Sequence, residues 1–475
     1  MTLVPVDDPL MLTAGGMAAS IRVGALRTVD LIDRSLARAK SLQRDLNCFA
    51  LILEDEAMAA AAAADRAVAE GPVGPLHGVP VAIKDLTPTA GHLASLGSWT
   101  SADVISERSA LIVERLRAAG AIVIGKTTTP EFASSSFTAS PRWGVTRNPW
   151  DRTRTPGGSS GGSGVAVAGG CVPLAEGTDM GGSVRIPAAF CGVVGFKPSL
   201  GRIPMTILPS VFDDISHFGP LARTVEDAIL FMEATAGPSD EDPLSLDTPF
   251  DASRARDGAL RGRRFALSID LGYYAIDPAI ADLVRRTADR LRQAGAIVDE
   301  IALPWTREVS DRWLDMWNVF MSAYFGDRVE AFAARMDPAV LALIENGRKL
   351  SATDYKRIEV LRTRLWRDMI GIFARYDALL CPTCAAPAPL VDQTDDDFGH
   401  DLPDGRYGGL DLCAPFNLVP ACPVISVPVG LSEGLPVGLQ IVGRRHADED
   451  VLAMAGALEA AVGILRPGQA SLASD

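Results

Sequence analysis

The sequence predicts an α/β fold, one large domain with a sheet flanked by helices on both faces. Apolar strands alternate with helical segments along most of the chain, as in layered βα packing. The 475 residues are 48% hydrophobic and 22% charged, enough apolar material for a large core. No internal repeat divides the chain, and α/β enzymes of this length often form one unit.

Residues 9–70 are predicted to be helical. LRTVDLIDRSLARAKSLQ repeats apolar residues at helical spacing, and EDEAMAAAAAADRAVAE opens on acids that the helix dipole favours. Gly71-Pro72 and Gly74-Pro75 end that region. GVPVAIKD reads as a short strand ending at Lys84 and Asp85. SALIVERLRAAGAIVIGKT reads as helix, glycine cap at Gly120 and strand, a pattern that VAVAGGCVPLAEGTD repeats. Residues 235–260, rich in Pro, Asp and Ser, read as an exposed connection. ALRGRRFALSI and PAIADLVRRTADRLRQAGAIVDEI return to strand, helix, strand. Residues 307–376 are mostly helical and carry Trp313, Trp317, Phe320, Tyr324, Phe325, Tyr355 and Trp366. The tail gives short strands (ALLCP, PVISVPVG, VGLQIVG) and a last helix near 449–462.

A net charge of −14 repels phosphate backbones and anionic lipid, so neither nucleic acid nor membrane is an expected partner. No apolar run approaches the ~20 residues a membrane span needs. MTLVPVDDPLMLTAGGM has no basic stretch followed by an apolar one, so no signal peptide is expected. The seven cysteines are Cys48, Cys171, Cys191, Cys381, Cys384, Cys413 and Cys422, an odd and sparse set. They point to a reducing, cytoplasmic setting rather than a disulfide framework. Cys381-Pro-Thr-Cys384 precedes AAPAPL, which cannot start the helix a redox pair wants, so buried inert thiols are the better reading.

The five histidines form no H-x-H or H-E-x-x-H pattern, and no metal site is expected. A hydrolase of the G-x-S-x-G type is disfavoured by the order Gly158-Ser159-Ser160-Gly161, although His217 or His446 stays open as a base. TPGGSSGGSG (residues 155–164) could be a linker, a phosphate loop or a tight turn. The apolar VAVAGG that follows argues against a linker, and no lysine completes a phosphate loop. A turn holding hydroxyls close to other backbone remains. In GTDMGGSVR, Gly181 and Gly182 let several N–H groups point at one spot, as a developing oxyanion needs, with Ser183 at the rim as nucleophile. Lys84 is the candidate base, because apolar surroundings would lower its pKa. The strand by itself still favours a solvated surface charge there.

Together, GVPVAIKD, PGGSSGGSG and GTDMGGSVRIPAAFCGVVGFKPS, in that order and spacing, resemble the amidase signature family. GKTTTPEFA, TRNPWD, GPLAR and PVISVPVG…GLPVGLQIVG fit as well. The likeness covers most of 9–235 and 376–462. It implies one domain over 1–475 with a mixed sheet: N-terminal helices (9–70), a motif-bearing core (71–235), a variable, mostly helical pocket region (236–375) and a return to the sheet (376–462). It also implies a Ser–Ser–Lys triad. Ser183 is then the nucleophile, Ser159, after a cis peptide bond, the relay, and Lys84 the base. Met180, Gly181, Gly182 and Ser183 supply the oxyanion N–H groups, and Ser160, Thr178, Asp179 and Arg185 support them. Ala133 and Ser135 would bound the pocket.

The implied activity is hydrolysis of a hydrophobic amide, anilide or carbamate through an acyl-enzyme, with ester side activity and no cofactor. The expected partner is that small-molecule substrate, and the chain is expected to be a monomer or homodimer. The glutaminase component of a tRNA-dependent amidotransferase is the alternative. A silent binding scaffold is a third reading, disfavoured because all three triad positions are filled.

Overall fold

The computed structural model describes residues 8–71, 73–101 and 104–466. Residues 1–7, the head of the segment read for a signal peptide, and Pro72 lie outside them. Among the described residues, the first α-helices and strand are α1 (Ala14–Arg22), α2 (Thr28–Leu46), β1 (Phe49–Ile52) and α3 (Glu54–Glu70). Next come β2 (Pro80–Lys84), α4 (Leu111–Ala118), β3 (Ile122–Thr127) and a small hairpin, β4 (Ala139–Ser140) and β5 (Gly144–Val145). Then follow α5 (Gly161–Ala168), β6 (Leu174–Asp179), α6 (Arg185–Cys191), β7 (Val194–Lys197), β8 (His217–Ala222) and α7 (Val225–Thr235). The middle of the chain holds α8 (Ala252–Arg256), β9 (Arg264–Leu267), α9 (Pro278–Gln293), β10 (Ile297–Glu300) and the helices α10 (Glu308–Phe325), α11 (Val329–Phe332), α12 (Pro338–Lys349) and α13 (Ala352–Phe373). The last elements are β11 (Ala378–Pro382), β12 (Val424–Ser432), β13 (Leu435–Gly443) and α14 (Asp448–Val462).

Among the described residues, eleven strands form one sheet in the order β1-β3-β2-β6-β8-β7-β12-β13-β11-β9-β10. The sheet is mixed. β2 runs parallel to β3 and β6, and β9 runs parallel to β10 and β11. The strands between β6 and β11 pair antiparallel. Helices cover both faces. One core layer takes buried residues from α1, α4, α7, α9 and α14, and the other takes them from α2, α5 and α6. No helix among the described residues is long and apolar enough to cross a membrane.

The N-terminal region is not wholly helical. Asn47 turns left-handed (φ 55°) and ends α2, and Phe49–Ile52 then joins the sheet edge antiparallel to β3. Four apolar residues fit a helix or a strand equally well, and only the partner strand decides between them. All seven cysteines are buried and unpaired, and burial raises the thiols of Cys381 and Cys384.

Phe218 is fully buried on β8. Phe218→Ala should destabilise the fold by about 3–5 kcal/mol, read as a lowered urea midpoint. Val360→Ser, at a position 61% exposed on α13, should stay within about 0.5 kcal/mol of wild type.

Candidate active site

Lys84 ends β2, whose five residues are all buried, with β3 on one side and β6 on the other. Its side chain is 0% exposed, which overturns the surface-charge reading. The nitrogen Nζ donates to Ser159 Oγ (2.7 Å) and Thr178 Oγ1 (2.9 Å). Both partners are neutral hydroxyls. Burial pulls the Lys84 pKa down to about 7, and Glu176 and Asp179 work against that fall.

Ser159 follows a cis peptide bond from Gly158. A Cβ on Gly158 would stand 2.5 Å from the Ser135 carbonyl oxygen, so only glycine allows that approach. The next residue ties the two serine segments together. The Ser160 N–H donates to the Ser183 carbonyl (3.2 Å), and the Thr178 N–H donates to Ser160 Oγ (3.3 Å). TPGGSSGGSG is therefore neither linker nor phosphate loop. It is a buried turn that leads straight into α5.

Ser183 is half-buried in the turn between β6 and α6. Asp179 braces this turn. Its Oδ1 accepts from the Gly182 N–H (2.9 Å), Arg185 Nη2 (2.8 Å) and Asn417 Nδ2 (3.0 Å). Its Oδ2 accepts from Arg185 Nε (2.9 Å) and the Val184 N–H (3.3 Å). Arg185 reaches on to Gln440 Oε1 (2.8 Å), Asn417 Oδ1 (2.6 Å) and the Cys413 carbonyl (3.1 Å). Although burial alone would raise it, the Asp179 pKa is held well below the carboxylate range by the Arg185 guanidinium.

Gly182 is thus occupied. Among the described residues nothing accepts from the N–H groups of Met180, Gly181 or Ser183. Trp313 of α10 lies against Gly181, where a Cβ would collide with its indole, and its Nε1 donates to the Met180 carbonyl (2.9 Å). Trp313 stacks on Trp317, and Trp317 on Phe320. Met180 packs into the same apolar cluster.

The sequence-predicted residues divide into those brought together and those set apart. Lys84, Ser159 and Thr178 share hydrogen bonds, and Ser160, Ser183, Asp179 and Arg185 lock the adjoining turns. No hydrogen bond joins the Ser159 and Ser183 hydroxyls directly. Ser135 lines the Gly158 side, but its hydroxyl is held by Asp395 Oδ2 (2.6 Å). Ala133 is buried in a left-handed conformation (φ 58°) and bonds to Pro130, not to the serines. His217 is buried and kept neutral by burial, its pKa lowered to about 3, with Nδ1 against the Ile215 carbonyl (2.9 Å). Trp313 comes from the aromatic stretch of the expected pocket region, whereas Glu176, Asn417 and Gln440 join the site without having been expected in it. Of these, Gln440 alone carries a signal in the sequence, inside the GLPVGLQIVG stretch.

The family model described as Amidase matches residues 30–452. A glutamyl-tRNA(Gln) amidotransferase component from Chloroflexus aurantiacus is 35% identical, over 94% of this chain and 96% of that protein. An acylamidase from Rhodococcus erythropolis is 34% identical, over 94% of this chain and 95% of that protein. Among solved structures, a bacterial aryl acylamidase of the amidase signature enzymes superposes with a TM-score of 0.89 at 30% identity, covering 95% of this chain and 96% of that one.

Arg185→Met should cost about 3–5 kcal/mol, because it leaves Asp179 buried and unpaired. Asp179 has a depressed pKa, so its contribution is present above the unfolded carboxylate value of ~4 and fades as pH falls below it. Chemical denaturation at pH 7 and pH 3 should therefore show a smaller gap between the two proteins at pH 3.

Proposed function

The chain belongs to the amidase signature family of hydrolases that act on C–N bonds, and from that premise we propose a Ser183–Ser159–Lys84 triad that cleaves a hydrophobic amide, anilide or carbamate. The observation that carries this reading is the buried Lys84 amine, bonded among the described residues to the Ser159 and Thr178 hydroxyls. A neutral amine can accept a proton, and an ammonium cannot.

In the proposed cycle Lys84 takes the Ser159 proton as Ser159 takes that of Ser183. Ser183 Oγ then attacks the carbonyl carbon. The oxyanion receives N–H groups from Met180, Gly181 and Ser183, while Gly182, assigned to the same role from the sequence, braces the turn through Asp179. The C–N bond breaks and the amine leaves with the proton returned along Lys84 and Ser159. Water, deprotonated by the same route, hydrolyses the ester to a carboxylic acid and restores Ser183. Two further parts of the proposal are Ser135 beside the scissile bond and a reducing, cytoplasmic setting for the seven free cysteines.

The proposed substrate side is apolar, because Trp313 lies against Gly181 and stacks with Trp317 and Phe320 in the apolar cluster that holds Met180. The second reading is a glutaminase that works within a complex, favoured by the amidotransferase relative with its 35% identity. Identity does not separate the two, since the acylamidase lies at 34%. The purified chain assayed alone on glutamine and on a panel of aryl amides and carbamates separates them. Aryl amide turnover without a partner is the expected result, and turnover of glutamine alone would replace the first reading with the second.

Ser183→Ala should lower kcat/KM by about three orders of magnitude or more while leaving the thermal midpoint in place. Because the Lys84 pKa is lowered to about 7, the reactive amine predominates above that pH and is lost as it binds a proton below it. The pH profile of kcat/KM should therefore fall on its acid side near neutrality and hold toward alkaline pH.

A further inference from the structure

Glu176 sits on β6, two residues before Thr178, and its side chain is 0% exposed. Residues two apart on a strand share a face. Both therefore approach Lys84, Thr178 at the amine and Glu176 at the backbone. Glu176 Oε2 accepts the Lys84 N–H (2.8 Å) and Oε1 accepts the Thr87 hydroxyl (2.9 Å). The last N–H of β2 is thus bonded to a side-chain carboxylate in the buried core.

We propose that Glu176 is a positioning residue for the Lys84 base: its carboxyl group fixes the backbone from which the amine projects and sets how readily that amine takes up a proton. The proposal rests on the triad reading above. The charges around the pair support it. β6 contributes Glu176 and Asp179, and Asp179 is paired with Arg185. β3 contributes Lys126, which is paired with the buried Asp85 (3.2 Å). Helix α5, against β2, has no titratable side chain, and α2 turns Ile32, Ser35, Leu36 and Ala39 inward. Asp179 and Lys126 are thus each held in an ion pair, while the Glu176 carboxyl meets Lys84 at its backbone N–H. Burial raises the carboxyl pKa and lowers that of the amine, and a negative charge on Glu176 favours the charged form of Lys84.

The test is the pH dependence of Ser183 labelling by a fluorophosphonate in wild type, Glu176→Gln, Thr87→Val and Lys84→Met. Glutamine keeps the shape and the oxygen facing the Lys84 N–H but removes the negative charge that favours the ammonium. The acid limb should therefore move to lower pH, by about half a unit or more. Thr87→Val removes a hydrogen bond to the carboxylate, favours its neutral form and should move the limb the same way by a smaller step. This second variant decides the matter if Glu176→Gln does not fold. A limb that stays in place while the rate falls at every pH would reduce Glu176 to scaffold and overturn the proposal. Lys84→Met separates the two levels. If it labels like wild type the triad reading itself fails, and if it does not label while the limb is unmoved, only the role of Glu176 falls.

Discussion

A lysine amine shut in the core of the sheet, with two hydroxyls for company, is the constraint around which the rest is arranged. A buried ammonium demands an anion in contact, and its desolvation is costly. Lys84 Nζ has Ser159 and Thr178 instead. The neutral amine is the form that suits such a site. Keeping it there takes a strand end flanked on both edges, β3 and β6, and a buried turn that sets Ser159 within hydrogen-bond reach.

The second element is the frame that holds the Ser183 turn. Asp179 and Arg185 are both fully buried and joined by a two-point ion pair. Arg185 extends this frame to Asn417 and to Gln440 on β13. The far end of the chain thus fixes a turn in its first half. With the Gly182 and Val184 N–H groups held by Asp179, those of Met180, Gly181 and Ser183 are left outside the frame. Burying an ion pair is a poor way to gain stability. Here it serves geometry, because a guanidinium with several fixed donors sets the orientation of every group it touches.

Much of this is legible in the residues. The helix, Gly120 and strand of α4 and β3 are readable because glycine takes the positive φ that ends a helix, here 93°. The cis peptide at Gly158–Ser159 follows from the resemblance. What cannot be read depends on contacts between distant segments. β1 looks like any short apolar run until β3 pairs with it. Lys84 at a strand end looks exposed until β6 covers it (Lys84 and Glu176 are 92 positions apart). Trp313 lies 133 positions from Met180, in the segment without recognisable motifs, and nothing local marks it as a neighbour of the Ser183 turn. Glu176 stands one residue before GTDMGGSVR and gives no sign of what its carboxyl meets.

The central claim is that Ser183 forms the covalent acyl bond. It is tested most directly by quenching the protein in acid during turnover of an activated aryl ester and locating the added mass by peptide mass spectrometry. The expected result is one acyl group on Ser183, absent in a Lys84→Met protein treated in the same way. An acyl group on Ser159, on Cys413 or on any other side chain would contradict it.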